Sequence, residues 1–237
     1  RYLHDYMKEN FGYTFQWREA SAGTDGSILR IYEAIDKIST KEDAETIFLY
    51  ARERCVPLDY PLMIQPENDG IHWTRPHIVV PFTHNNVIVG YSCRFLDNKF
   101  PKYINEIQHG YVFGTDLQKP DWQYAIVCEG VFDALSIGGL AVLHAEINDS
   151  QVHLIRSLGR EIIVVPDQDK SGLSLIDRAL ELNWGVSIPA WPPGVKDIND
   201  AVMKMGRLAT LLSIVQARKT TRLQIELARK QLSRNFS

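Results

Sequence analysis

The chain has 237 residues, 45% of them hydrophobic, enough apolar material for a sizeable core in one large domain or two small ones. Its net charge of −3 excludes a uniformly basic nucleic-acid coat, so any such contact must be local. Cys55, Cys93 and Cys128 form no pair of zinc spacing, the apolar runs are short and broken by charge, and no basic segment leads into an apolar stretch near the N-terminus; a reducing, intracellular setting is expected, with no zinc site, membrane span or secretory signal. Because the chain opens on Arg1 rather than Met, flanking domains of a longer protein are expected.

Along the chain, residues 1–24 mix aromatic and charged residues, and Asp25-Gly26-Ser27 offers a turn and a helix start before Ile28-Leu29-Arg30-Ile31. Ser39-Thr40, followed by Glu42 and Asp43, predicts the start of a helix through Arg54, with Ala44, Ile47, Phe48 and Ala51 at helical spacing. Pro57, Pro61, Pro66 and Gly70 predict a loop or subdomain joint. Ile78–Phe82 and Val87–Phe95, separated by His84-Asn85-Asn86, predict a β-hairpin. His72, Trp73 and Arg75 before it are read as turn packing rather than a stacking surface for single strands.

From Asp121 the reading alternates. Strands are predicted at Tyr124–Cys128, Ala141–His144, Glu161–Val165 and Val186–Pro189, with helices at 133–137, 150–158 and 171–182 between them. Runs of this length and order read as βαβ units in a parallel sheet covered by helices. The tail from Asn199 is predicted helical, and Lys219–Arg234 is basic on balance. The domain reading is an N-terminal α+β subdomain at 1–120, an α/β catalytic subdomain at 121–206, and a C-terminal helical segment or linker at 207–237.

Acids stand at the predicted strand ends: Glu129 in Cys128-Glu129-Gly130, Asp167 and Asp169 in Pro166-Asp167-Gln168-Asp169-Lys170-Ser171-Gly172, and Asp197 in Lys196-Asp197-Ile198. Ligands of open α/β sheets sit outside the carboxyl ends of the strands, and converging acids bind hard divalent cations. Asp133, four residues after Glu129, falls in the first turn of the following helix, where it can brace the site. Each acid taken singly is also a plausible helix N-cap. A cap accounts for one acid per helix, however, and not for a D-x-D pair, an E-G and a K-D together. Cys128 is read as strand packing, and Tyr111, Trp184 and Trp191 as core or interface residues.

At these residues the chain resembles the TOPRIM fold shared by topoisomerases and replicative primases. The resemblance rests on Glu129-Gly130 with Asp133, Asp167-Gln168-Asp169 with Ser171-Gly172, and Lys196-Asp197. Upstream, Val87 to Leu96 with Arg94, then Pro101-Lys102-Tyr103-Ile104-Asn105 and Tyr111-Val112-Phe113-Gly114, is similar to the primase core that precedes TOPRIM in bacterial and phage primases. In place of the Ser/Thr-Leu-Gly-Thr type segment of the family stands His144-Ala145-Glu146-Ile147-Asn148.

The resemblance implies an α/β fold with a TOPRIM-like parallel sheet flanked by helices, preceded by a smaller mixed α+β subdomain and followed by C-terminal helices. It implies a primase making short RNA primers from NTPs on single-stranded DNA. Glu129, Asp133, Asp167, Asp169 and Asp197 would form the catalytic set, with Glu129, Asp167, Asp169 and Asp197 binding Mg²⁺ or Mn²⁺ and Asp133 supporting them. Arg94, Lys102 and Lys170 would bind substrate. A replicative helicase, fused or recruited, would be the partner, in a bacterial or infected-host cytoplasm and away from membranes. Two other readings of the same acids stay open: a metal-dependent nuclease or topoisomerase, and a non-catalytic nucleic-acid-binding replication module.

Overall fold

β-Branched runs bounded by turn residues have few places to bury both faces except the middle of a sheet, and two sheets organise the described residues. The computed structural model describes residues 41–57, 60, 62–64, 77–85, 87–97, 99–144, 146–234 and 236. The expectations at 25–31, at the Ser39-Thr40 cap and at His72, Trp73 and Arg75 lie outside the described residues. The chain divides into two compact units between Gln108 and His109.

In the first unit, helix α1 (Lys41–Glu53) buries Ile47 and Ala51, four residues apart. The predicted hairpin is present as β2 (His77–His84) and β3 (Val87–Phe95), paired antiparallel from His77↔Phe95 to His84↔Val87. Two shorter strands extend it into a meander of order β1-β2-β3-β4: β1 (Met63–Ile64), within the stretch read as loop, and β4 (Tyr103–Glu106). A two-residue strand has no period of its own, so only the neighbouring edge of β2 makes it one.

The second unit begins before the composition boundary at 120, because Phe113 exchanges backbone hydrogen bonds with Ala141 across the sheet edge at 2.9 and 3.1 Å. Its sheet has the order β6-β5-β7-β8-β9, built from β5 (Tyr124–Cys128), β6 (Leu140–Ala141), β7 (Glu161–Val164), β8 (Gly185–Ser187) and β9 (Arg218–Lys219). The pairs β5·β6, β5·β7 and β7·β8 are parallel, and β9 closes the edge antiparallel. Ala125, Val127, Ile163 and Val164 are wholly buried, as expected of parallel strands covered on both faces.

The covering helices are α2 (Val131–Ile137), α3 (Asp149–Arg156), α4 (Gly172–Leu182), α5 (Ile198–Met205), α6 (Arg207–Gln216) and α7 (Arg222–Arg234). Leu175, Ile176 and Ala179 of α4 and Ile225 and Leu232 of α7 enter one core with Val127, Val164 and Val186. Outside that core, Arg229 of α7 forks onto Asp177 of α4, with Nε and Nη2 donating to the two carboxylate oxygens at 2.5 and 2.7 Å. The tail is therefore three helices, broken at Gly206 and again at β9. Arg218 and Lys219 leave the helix to pair with β8, and nothing in their own composition signals a strand. The second predicted strand is also shorter than read: Leu143 has φ +64°, and that left-handed turn ends the extended run after Ala141. Among the described residues no helix is long and apolar enough to cross a membrane.

Candidate active site

Strand order determines where ligands can reach this sheet. From β5 the chain passes through α2 to β6 on one side, and from β7 it passes through α4 to β8 on the other. The connections diverge between the carboxyl ends of β5 and β7, leaving the crevice characteristic of open α/β sheets. Glu129 follows β5 directly, and Asp167 lies three residues beyond β7. Backbone pairing continues past the strand ends, where Val165 N–H donates to Val127 C=O at 2.8 Å and Leu143 N–H donates to Glu129 C=O at 3.0 Å.

The Asp167-Gln168-Asp169 loop is anchored on the segment carrying Asp197. Gln168 donates from its backbone to Lys196 C=O and from its side-chain amide to Pro189 C=O, both at 2.7 Å. Asp197 is the N-cap of α5, its Oδ1 accepting from Asp200 N–H at 2.7 Å. Asp169 Oδ1 accepts from the amide and hydroxyl of Ser171 at 2.9 and 2.5 Å and from Gly172 N–H at 3.3 Å, closing the turn into α4. Gly172 is required there, since an added Cβ would lie 2.1 Å from the Asp167 backbone oxygen. Asp133, nearly buried in α2, accepts from Asn199 N–H at 2.8 Å through Oδ1.

These acids repel one another. Burial, then the charges of Glu129 and Asp197, push Asp167 from the ordinary 3.8 up to about 7. Burial and the Asp169 charge raise Glu129, partly offset by the Asp167 N–H. Burial, followed by Asp197 and Asp167, raises Asp133 strongly. Asp169 behaves oppositely: burial pushes it up, but the Ser171 and Gly172 hydrogen bonds outweigh that and hold it below the ordinary value. The Cys128 thiol is raised well above its ordinary value by burial and then by Asp133, Asp167, Glu129 and Asp197, and it contacts Leu140 C=O at 3.2 Å. It is a packed, protonated thiol, as its place inside a strand suggests.

The acids do not form a ready-made four-ligand cage. Among the described residues, no three His, Cys, Asp or Glu side chains are grouped closely enough to hold one ion. One oxygen of Asp169 is committed to the α4 turn and one oxygen of Asp197 to the α5 cap. The donors still fit a magnesium-like cation, which is usually held by one or two carboxylates together with substrate phosphates and waters. Glu129 Oε1 is buried without a hydrogen-bond partner, a group that a cation would satisfy.

Comparison with known proteins bears on the fold. A DNA primase of Rickettsia prowazekii (strain Madrid E) is 30% identical over 148 residues, 51% of this chain and 24% of that protein, so the match spans about a quarter of the relative's length. A DNA primase domain from Pseudomonas aeruginosa superposes with a TM-score of 0.63 at 18% identity, covering 81% of this chain and 78% of that one. The zinc-binding and RNA polymerase domains of the Aquifex aeolicus primase give 0.60 at 17%, covering 90% and 66%. A DnaG primase catalytic domain bound to ssDNA gives 0.60 at 17%, covering 80% and 79%. The chain has the fold of a bacterial primase catalytic core. No protein-family model matches it.

Within this primase-core fold, Glu129, Asp133, Asp167, Asp169 and Asp197 belong to the second unit and interact electrostatically. Lys170 is exposed in the same loop as the D-x-D pair. Arg94 and Lys102 belong to the first unit. The Arg94 guanidinium lies 4.6 Å from the centre of the Tyr103 ring on the adjoining strand, and its Nε is buried without a hydrogen-bond partner. Tyr111 and Trp184 are buried, and Trp191 Nε1–H donates to Ser213 Oγ at 3.1 Å. Reading the sequence missed the Asn148–Gln151 pair, a reciprocal capping box that starts α3. The Gln151 amide also donates to Tyr111 C=O and Val142 C=O at 2.8 and 2.9 Å, fastening the segment before β5 to the sheet edge. Its signal was present, since an Asn followed three residues later by Gln before an apolar run marks such a box.

Proposed function

We propose that this chain is the catalytic core of a DNA primase, a TOPRIM-type nucleotidyltransferase that joins NTPs into short RNA primers on single-stranded DNA. One observation carries the reading: in a primase-core fold, mutually repelling carboxylates meet at the sheet's switch point, with Asp167 raised to about 7. The DNA primase name of the sequence relative and the ssDNA-bound state of a solved core with this fold support the same activity and template.

Glu129, Asp167, Asp169 and Asp197 would hold Mg²⁺ or Mn²⁺. The bound ion supplies activation of the attacking hydroxyl and neutralisation of charge on the phosphates. The chain's residues arrange the rest. The Gln168 backbone and side-chain bonds keep the D-x-D loop against the Asp197 segment, so that the acids stay in place despite their repulsion. Arg94, whose guanidinium carbon lies over the Tyr103 ring, would present its fork to phosphate oxygens, while Lys102 and Lys170 would add point charges. A replicative helicase, fused or recruited, is the expected partner.

The test is incubation of the chain with mixed-sequence single-stranded DNA, each labelled NTP and Mg²⁺ or Mn²⁺, followed by sizing of the products. Wild type is expected to form dinucleotides and longer primers. Asp167→Ala and Asp169→Ala are expected to abolish them while circular dichroism stays native. Wild-type synthesis by both variants overturns the proposal, and plasmid cleavage or relaxation with Mg²⁺ and no NTPs would favour a nuclease or topoisomerase instead.

A further inference from the structure

We propose that Asp133 is a positioning residue that fastens the first turn of α5, and thereby Asp197, and is not itself a metal ligand; this rests on reading the acidic crevice as a metal-dependent site. The first amide groups of any helix lack partners inside it. In α5 two acids take two of them: Asp197 Oδ1 accepts from Asp200 N–H at 2.7 Å, and Asp133 Oδ1 accepts from Asn199 N–H at 2.8 Å. Asp133 reaches Asn199 from α2, 66 residues earlier in the chain, and the two residues are 8% and 2% exposed. The hydrogen bond is therefore a buried tertiary tie between α2 and α5, which a solvent-facing acid would not make.

The second carboxyl oxygen lies beside Gly130. A Cβ placed on Gly130 would fall 2.3 Å from Asp133 Oδ2, so this oxygen fills the space that a side chain at 130 would need. One oxygen faces the α5 amide and the other the glycine, and every residue of α2 is buried. Glu129-Gly130-x-x-Asp133 then works as a single device. Glu129 stays at the strand end, Gly130 makes room, and Asp133 crosses to α5 and sets where the Asp197 cap stands.

The experiment compares Asp133→Asn, Asp133→Ala, Asp167→Asn, Asp197→Ala and the double variant Asp133→Ala/Asp197→Ala, using Mn²⁺ affinity by calorimetry, amide exchange at Asn199 and Asp200 by NMR, and primer synthesis. Asparagine keeps an acceptor oxygen at the same place, so Asp133→Asn is expected to bind Mn²⁺ within about twofold of wild type and to keep the Asn199 amide protected. Asp133→Ala is expected to expose that amide and to weaken Mn²⁺ roughly tenfold, the scale seen when a residue supporting a ligand is lost. In the Asp197→Ala background it should weaken Mn²⁺ no further, because it acts through Asp197.

Loss of Mn²⁺ by Asp133→Asn as severe as that caused by Asp167→Asn overturns the proposal, as does an additive double variant or unchanged exchange at Asn199 in Asp133→Ala. Asp133→Asn decides the matter even where Asp133→Ala does not fold. If the chain binds no Mn²⁺, the exchange data alone decide whether Asp133 fastens α5. Failure of the primase reading is separate, because it shows as absent primer synthesis by wild type while exchange and metal binding follow the expected pattern.

Discussion

Replacing Asp167 by Asn tests the electrostatics of the crevice without reference to catalysis. Asp167 holds its proton up to about pH 7 in the folded chain against 3.8 ordinarily. At about 1.4 kcal/mol for each tenfold change in proton affinity, that difference corresponds to an upper limit of roughly 4 kcal/mol. Because the carboxyl is only half-buried and solvent screens it, an effect of about 1–2 kcal/mol is expected. The stability that protonation contributes is fully present below about pH 4 and is lost as pH rises through about 7. Wild type therefore carries the whole charge penalty at pH 8, whereas the amide carries none. In urea denaturation followed by circular dichroism in EDTA, Asp167→Asn should match wild type near pH 4 and exceed it by about 1–2 kcal/mol at pH 8. Mg²⁺ should narrow the gap by stabilising wild type alone. An Asn variant less stable than wild type at pH 8, or a difference that does not change between pH 4 and 8, would refute the reasoning.

Gly172→Ala forces a Cβ to within 2.1 Å of the Asp167 backbone oxygen, so the loop or the start of α4 must move. A loss of roughly 2–3 kcal/mol in thermal or urea denaturation is expected, with a larger fractional loss of primer synthesis than of stability because the loop carries Asp167. Unchanged melting and activity would show that the close approach is absent in solution. Gln151→Leu removes the acceptor for Asn148 N–H and the donors to Tyr111 and Val142. Losing these three hydrogen bonds, two of them buried, should cost about 2–4 kcal/mol. Proteolysis should then cut earlier between Gln108 and Tyr124, and a wild-type denaturation midpoint would contradict this account.

Much of the second unit can be read from its residues. Tyr124–Cys128 and Glu161–Val164 are short apolar runs bounded by turn residues, and α4 carries Leu175, Ile176 and Ala179 at helical spacing, so period and length alone give strand, helix and strand. The acids could be seen as a set because residues at parallel-strand ends share one edge whatever the sequence between them. Short elements escaped for a physical reason. Met63–Ile64 and Arg218–Lys219 are strands only because β2 and β8 present unpaired edges, and the end of β6 is set by a left-handed residue at Leu143.

The order of residues determined by itself that acids would line the carboxyl edge of a parallel sheet. It could not apportion them, because pairing, burial and charge depend on groups far away in the chain. Only the folded arrangement gave Asp169 to the Ser171–Gly172 turn, tied Asp133 to Asn199, and left Asp167 among like charges with its proton affinity raised. Local chemistry chooses the residue type at a position, whereas its ionisation and partners follow from what the tertiary structure brings within a few ångströms.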